Sequence, residues 1–340
     1  MSCTFDHIIL SRPDRIGDVI VSTACVKPLQ ERFPYARLSM VVDESIQPLL
    51  LGHPVLQIVG LVLTSKERSS EALDALFSQG SRALLVELNS HPWVAEAAVK
   101  YPRLERRRYK QGFLDFGSSI NDRRRFGLVH EARACWDLLN EFDVNEPEVL
   151  RAFLPKYAFA WPSLVERYPL LRDEKFAAFH LSAYGGKKSW PIACFVEVAS
   201  ILASSGWLPV IVGADSSLSQ AFASAYRGPL LDLTGETSLP ELGALLGHAQ
   251  LMLSRDSGPA HLAAAVGCPT VTLMSSHPKH CARRWAPLGD RVAVVEQPLV
   301  RKKCLESRDD WWARVFSMIR TENVLDAITR VTGNQLLPLN

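Results

Sequence analysis

The chain has no uninterrupted apolar run approaching the roughly 20 residues needed to span a bilayer, so no transmembrane segment is expected. Its first ten residues, Met1–Leu10, carry Asp6 and lack the basic start and long apolar core of a signal peptide. The seven cysteines (Cys3, Cys25, Cys135, Cys194, Cys268, Cys281 and Cys304) are odd in number and scattered, with no Cys-x-x-Cys pair. A disulfide framework or zinc site is therefore not expected, and a reducing, cytoplasmic compartment fits. The first strand–helix turn has no GxGxxG fingerprint, and the GxxxxGK[ST] loop, the HExxH zinc helix and the GxSxG nucleophile elbow are all missing. No Asp-x-Asp motif follows a strand, so a metal-bridged diphosphate is not suggested and neither metal nor cofactor is expected.

The 340 residues are too many for one ordinary core and suit two domains of roughly 150 residues each. A hydrophobic fraction of 47% with 22% charged residues places both in the globular range. The net charge of +2 conceals two basic clusters in the first half: Arg103, Arg106, Arg107, Arg108 and Lys110, then Arg123, Arg124 and Arg125. Such runs are by default solvated faces, but two in one half also suit an anionic partner.

Short apolar runs alternate with helical patterns along the first half. His7–Leu10, Leu38–Val42 and Ala83–Leu88 have the character of strands, with helices from Gly17 through Val26, near Val94–Val99 and over Glu131–Phe142. Continuous apolar strands separated by helices indicate parallel sheets buried on both faces. The segment Pro147–Pro169 holds four prolines and several aromatics without periodicity, as a linker would. Alternation then resumes: strands at Phe176–Leu181, Leu208–Val212, Leu251–Leu253 and Thr270–Met274, and helices at Pro191–Ala203, Leu239–Leu246 and Ser257–Val266, the last closed by Gly267. Two open parallel sheets follow.

Ligands of such sheets bind beyond the carboxyl ends of the strands, which directs attention to the loops Ser11–Asp18, Ser182–Lys188, Gly213–Ser217 and Ser254–His261. Ser254-Arg-Asp-Ser-Gly-Pro-Ala-His261 leaves a strand and opens a helix, where Ser257 can cap and Gly258 lets a phosphate approach unpaired backbone N–H groups. An ordinary capped turn would look the same, and His261, one turn further in, is equally compatible with a structural histidine. Gly185-Gly-Lys-Lys-Ser-Trp-Pro191 brings two lysines to the start of the next helix, where Lys188 would meet a diphosphate; solvated surface lysines are the plainer alternative. Arg12-Pro-Asp-Arg-Ile-Gly-Asp18 follows the first strand and offers Asp14 and Asp18 as candidate general bases. Asp18 could instead merely stabilise a helix N-terminus, an environment that would lower its pKa and weaken it as a base.

Four stretches taken in order resemble glycosyltransferase family 9, the bacterial heptosyltransferase family of lipopolysaccharide core assembly. They are Arg12–Ile20 with Lys27-Pro-Leu and Phe33-Pro-Tyr-Ala36; Lys188-Ser-Trp-Pro191; Leu233-Thr-Gly-Glu-Thr-Ser-Leu239; and Asp256-Ser-Gly-Pro-Ala-His-Leu-Ala-Ala264 running on to Pro269-Thr-Val. The resemblance implies an α/β GT-B fold: two Rossmann-like domains with parallel sheets facing a central cleft. The first, residues 1–155, would bind acceptor. The second, 170–320, would bind the nucleotide-sugar, and a C-terminal helix and tail, 321–340, would return toward the first. It also implies an inverting, metal-independent transfer from a nucleotide-sugar, with heptose from ADP-heptose as the model, to a hydroxyl of an envelope saccharide.

By the same resemblance Asp18 matches the general base and Lys188 the diphosphate-binding lysine. Asp256, Ser257, Gly258 and His261 match the family's donor-site motif; Ser182 and Gly213, from their loops at strand ends, are also expected at the donor site, and Asp14, Arg15, Arg106, Arg107 and Arg108 on the acceptor side. The implied partners are an ADP-sugar and an anionic saccharide or glycolipid acceptor, with peripheral contact to the inner membrane and no nucleic acid. Two other functions share parts of this pattern. A GT-B nucleotide-sugar 2-epimerase would convert its substrate without an acceptor, and a sugar-nucleotide-binding protein would not turn over at all.

Overall fold

The computed structural model describes residues 5–109, 119–120, 129–182, 190–297, 300–302 and 306–334. The chain divides into two compact units, Met1–Lys156 and Tyr157–Asn340. The division falls inside Pro147–Pro169, but only the first part of that segment behaves as a linker. From Tyr157 onward it forms a 3-10 turn, Ala158–Ala160, and the helices Trp161–Arg167 and Leu170–Asp173. Tyr157 is buried with its ring against Gly243, where any Cβ would collide with it.

The first unit holds six parallel strands: β1 (His7–Ser11), β2 (Arg37–Asp43), β3 (Leu56–Leu61), β4 (Ala83–Glu87), β5 (Leu104–Tyr109) and β6 (Ser119–Ile120), in spatial order β3-β2-β1-β4-β5-β6. The central strands β1 and β4 are buried at every position, the apolar runs Ile8–Leu10 and Ala83–Val86 as well as the polar ends His7, Ser11 and Glu87. Each aliphatic side chain removed from water contributes roughly 1.5–3 kcal/mol. The Ile9 and Leu85 face packs under Leu73, Leu76 and Phe77 of the helix Lys66–Phe77 and Val94, Ala97 and Ala98 of the helix Pro92–Val99.

The second unit repeats this plan with β7 (Phe176–His180), β8 (Leu208–Val212), β9 (Leu231–Asp232), β10 (Leu251–Arg255), β11 (Thr270–Ser275) and β12 (Val292–Gln297), in spatial order β12-β11-β10-β7-β8-β9 and parallel throughout. Counted from its own first strand, each sheet has the doubly wound order 3-2-1-4-5-6. Each therefore has a crevice where consecutive connections leave for opposite faces: between β1 and β4, and between β7 and β10. In the second unit the helix Ile192–Ser204 packs Phe195, Val198, Ala199 and Leu202 on the face formed by Ala177, Phe179, Leu253 and Val271. The helix Gly258–Ala265 packs instead with the helix Leu239–His248.

Several elements differ from the sequence expectation. The expected first helix is Ile16–Ser22, a 3-10 turn Thr23–Cys25 and a second helix, Val26–Arg32. The expected Glu131–Phe142 helix stops at Asp137 and ends in a 3-10 turn, Asn140–Phe142, with Asp143 left-handed at φ 52°. The first basic cluster is largely a strand, β5. The helix Thr321–Thr332 has Val324, Ala327, Ile328 and Val331 in the core of the second unit. No described helix is long and apolar enough to cross a membrane.

Candidate active site

At the carboxyl edge of the first sheet β1 ends at Ser11, whose carbonyl accepts the Leu88 N–H at 3.0 Å, while the Arg12 N–H donates to Val41 at 2.9 Å. These bonds turn the Arg12 side chain into the unit, where it is 3% exposed. Its guanidinium donates to Asp18 Oδ1 at 2.5 Å, to Glu131 Oε1 at 3.1 Å and to the Leu88 carbonyl at 3.0 Å; Asp14 Oδ2 lies 3.7 Å away. Glu131 comes from the start of the helix Glu131–Asp137 and its side chain is 1% exposed. Burial opposes the Arg12 charge, but Asp18, Glu131 and Asp14 together more than offset it and raise the Arg12 pKa.

Asp18 lies in the first turn of Ile16–Ser22 but caps nothing: the N-cap residue is Arg15, which makes no side-chain cap hydrogen bond. Its carboxyl is 16% exposed and held by Arg12. Its pKa is raised. Burial is the largest cause, Asp14 and Glu131 add to it, and Arg12 opposes it. The lowering expected from a helix start is therefore reversed, because desolvation of a carboxylate in this pocket outweighs its one cation. Asp14 accepts hydrogen bonds from the Arg15 N–H and from Asn89 Nδ2, both at 3.0 Å.

Arg106 and Arg107 point to opposite faces of β5 and are engaged within the unit. Arg106 pairs with the buried Glu87 at 2.8 Å, whereas Arg107 pairs with Glu105 and Glu141, both at 2.7 Å, and covers the Phe142 ring. Arg108, opposite Glu87 in the register, lies at the carboxyl end of the strand. Lys110 and Arg123–Arg125 lie outside the described residues.

At the carboxyl edge of the second sheet His180 ends β7 and is bracketed by hydroxyls, Ser182 Oγ at 3.3 Å from Nε2 and Ser254 Oγ at 3.4 Å from Nδ1. Gly213, at φ +127°, closes the end of β8, and a Cβ there would come within 2.9 Å of the imidazole. Burial pushes the His180 pKa down to about 4, with Asp215 opposing, so the ring is neutral near pH 7. Ser254 also hydrogen-bonds Ser257 Oγ at 2.7 Å. Ser257 is the N-cap of Gly258–Ala265, accepting the Ala260 N–H at 3.4 Å. The plain capping role is thus realised, and it fixes the first turn with Gly258 at its head. His261 is 2% exposed; its Nε2 is 3.8 Å from Asp256 Oδ1, and its Nδ1 has no hydrogen-bond partner among the described residues. Lys187 and Lys188 lie outside the described residues.

The structure thus brings Asp14 and Asp18 together around Arg12, and Ser182, Gly213 and Ser257 around His180. Sequence reasoning gave no role to Arg12, Asn89, Glu131, His180 or Ser254. The available signal was the same for several of them: a polar residue ending or directly following a buried apolar strand.

Residues 123–311 match the family model of glycosyltransferase family 9 (heptosyltransferase). The chain is similar to lipopolysaccharide heptosyltransferase 3 of Escherichia coli, 22% identical over 79% of this chain and 84% of that protein. It is also similar to the lipopolysaccharide core heptosyltransferase OpsX of Haemophilus influenzae, 21% identical over 90% and 89%. Among solved structures, the family 9 glycosyl transferase of Veillonella parvula superposes with a TM-score of 0.80 at 19% identity, covering 98% of both chains. The E. coli ADP-heptose heptosyltransferase II gives 0.74 at 18% identity, covering 96% of this chain and 98% of its own. The fold is that of these GT-B enzymes, and the chain belongs to glycosyltransferase family 9.

Proposed function

We propose that this glycosyltransferase moves heptose from ADP-heptose to a hydroxyl of a lipopolysaccharide-core-like saccharide, with inversion at the anomeric carbon. The donor is suggested by the names of the similar proteins, and the acceptor class by the same names. The observation that carries the chemistry is the buried Arg12–Asp18–Glu131 group. A carboxylate with a raised pKa, oriented by one cation and still partly exposed, is suited to receive a proton.

Asp18 takes the proton of the acceptor hydroxyl as its oxygen attacks the anomeric carbon. The bond from that carbon to the nucleotide oxygen breaks on the opposite face, and ADP departs with both electrons. The departing diphosphate is met by Lys188 and the capped first turn at Ser257–Gly258, with Asp256 and His261 beside it and Ser182 and Gly213 shaping the neighbouring loops. Fixed donors at the place where charge develops stabilise the transition state. Asp14, Arg15 and Arg108 serve the acceptor, with Arg106 and Arg107 holding β5 in place through their carboxylate partners.

Incubating the protein with ADP-heptose in the presence and absence of a heptose-deficient lipopolysaccharide acceptor tests the reading. Product and ADP should form together only when acceptor is present. Conversion of the nucleotide-sugar without acceptor would make the enzyme an epimerase instead, and binding without turnover would leave only a binding protein.

A further inference from the structure

Strand β10 reads Leu251-Met-Leu-Ser-Arg255 and is buried at every position, including the arginine that ends it, 5% exposed. Alternation along the strand puts Arg255 on the face of Leu251 and Leu253, the side covered by the helices Ile192–Ser204 and Arg308–Ser317. There its guanidinium carbon lies 3.3 Å from the centroid of the Phe316 ring. The ring supports the flat face of the cation but supplies no acceptor in the guanidinium plane, where the N–H bonds point. Nε and Nη1 are both buried and have no hydrogen-bond partner among the described residues. Burial pulls the Arg255 pKa down to about 9, with Asp256 opposing it. A guanidinium left in this condition is costly, because each unmade buried hydrogen bond retains its desolvation penalty.

The position of this cation in the topology is specific. Ser254 pairs with His180 in the register, so Arg255 stands at the crevice between β7 and β10. The next described helix after β7, Ile192–Ser204, lies on the face of Arg255. From Arg255 itself the chain crosses through Asp256 and Ser257 to Gly258–Ala265, which packs away from that face. A ligand bound at this crevice meets the capped helix start and the end of the strand that carries Arg255.

We propose that Arg255 is a phosphate contact of the donor site, its Nε and Nη1 donating to oxygens of the nucleotide diphosphate. The assignment rests on the reading that this unit binds a nucleoside-diphosphate sugar. The planar fork of an arginine matches two phosphate oxygens at once, and the stacked Phe316 fixes its plane in advance. Arg255 thus adds a second cation to the one proposed at Lys188, and it comes from a core strand rather than a loop.

The test uses the full-length chain, isothermal calorimetry and thermal melts. The probes are whichever of ADP, UDP, GDP and CDP binds the wild type most tightly, and its parent nucleoside. Arg255→Met should weaken the diphosphate by about tenfold or more and leave nucleoside affinity within about twofold. The ligand-free melting temperature should stay the same or rise, because an apolar chain of similar length replaces an uncompensated buried charge. Arg255→Gln, planar but uncharged, should weaken the diphosphate in the same selective way, and it provides the test should the methionine variant not fold. Wild-type diphosphate affinity in a folded variant would overturn the assignment, as would equal loss of diphosphate and nucleoside. A wild type that binds no nucleoside diphosphate would overturn the donor reading itself, and the assignment with it.

Discussion

Arg12→Met isolates the interaction that orients the candidate base. The wild-type guanidinium serves two carboxylates and a carbonyl, and neither carboxylate has an easy route to water: the Glu131 side chain is 1% exposed and that of Asp18 16%. Removing one partner of a buried ion pair costs about 3–5 kcal/mol, because the other charge stays buried without compensation. For a unit the size of Met1–Lys156 each kcal/mol moves the midpoint by about 2–4 °C, so its thermal transition should fall by about 6–20 °C at pH 8.

The deficit should also depend on pH in a definite direction. The folded-state pKa of Asp18 is already above its unfolded value, so the folded form holds extra proton and Asp18 costs stability as pH rises through that window. Without Arg12 the pKa rises further and the window widens upward. The variant should therefore recover part of its deficit between pH 8 and pH 5.5, where the stranded Asp18 carboxylate can protonate. Calorimetric scans of both proteins at the two pH values make the comparison. A midpoint within 1–2 °C of wild type at pH 8, or a deficit of the same size at both pH values, would refute the reasoning.

Three further outcomes are expected. His180 is held neutral with a pKa of about 4 against an ordinary 6.5, so the folded state loses stability as pH falls from 6.5 to 4. The full window is worth about 3 kcal/mol, and His180→Asn should flatten that part of the acid-unfolding curve; an unchanged slope would assign the loss to other groups. Lys188→Ala should weaken nucleotide-sugar binding by about tenfold through loss of a charge-assisted phosphate contact, with Lys187→Ala having a smaller effect. Equal effects in titration calorimetry would shift the proposed role off Lys188. Transfer should persist in excess EDTA, because lysine and backbone N–H groups are proposed to meet the leaving diphosphate; abolition with rescue by Mg²⁺ or Mn²⁺ would contradict this.

How much was legible in the sequence follows from where each determinant lies along the chain. Strands such as β1, β7 and β10 announce themselves because burial on both faces requires unbroken apolar runs, and the cap at Ser257 shows in four consecutive residues. Strand β5 does not: Leu-Glu-Arg-Arg-Arg-Tyr has the composition of a solvated face, and only the structure reveals Glu87, Glu105 and Glu141 as the partners that let it pair. The two-residue strands β6 and β9 are too short to carry any period. The environment of Asp18 was hidden for a related reason. Glu131 is 119 positions from Arg12, and no local pattern marks a pair that only tertiary folding assembles. A helix start viewed alone suggests a lowered pKa; the pocket around it reverses the sign. His180 and Arg255 end otherwise apolar strands, and in an open parallel sheet those positions lie at the ligand edge.

The central claim is that Asp18 accepts the acceptor's proton. Asp18→Asn preserves the size of the side chain but cannot take up that proton, and the measurement is kcat for transfer with the donor Kd determined on the same preparation. The account predicts a fall of about 10²–10⁴-fold in kcat, with donor affinity nearly unchanged and the protein folded. A folded Asp18→Asn protein that transfers at close to the wild-type rate, beside an inactive Asp14→Asn, would contradict it and move the role to Asp14.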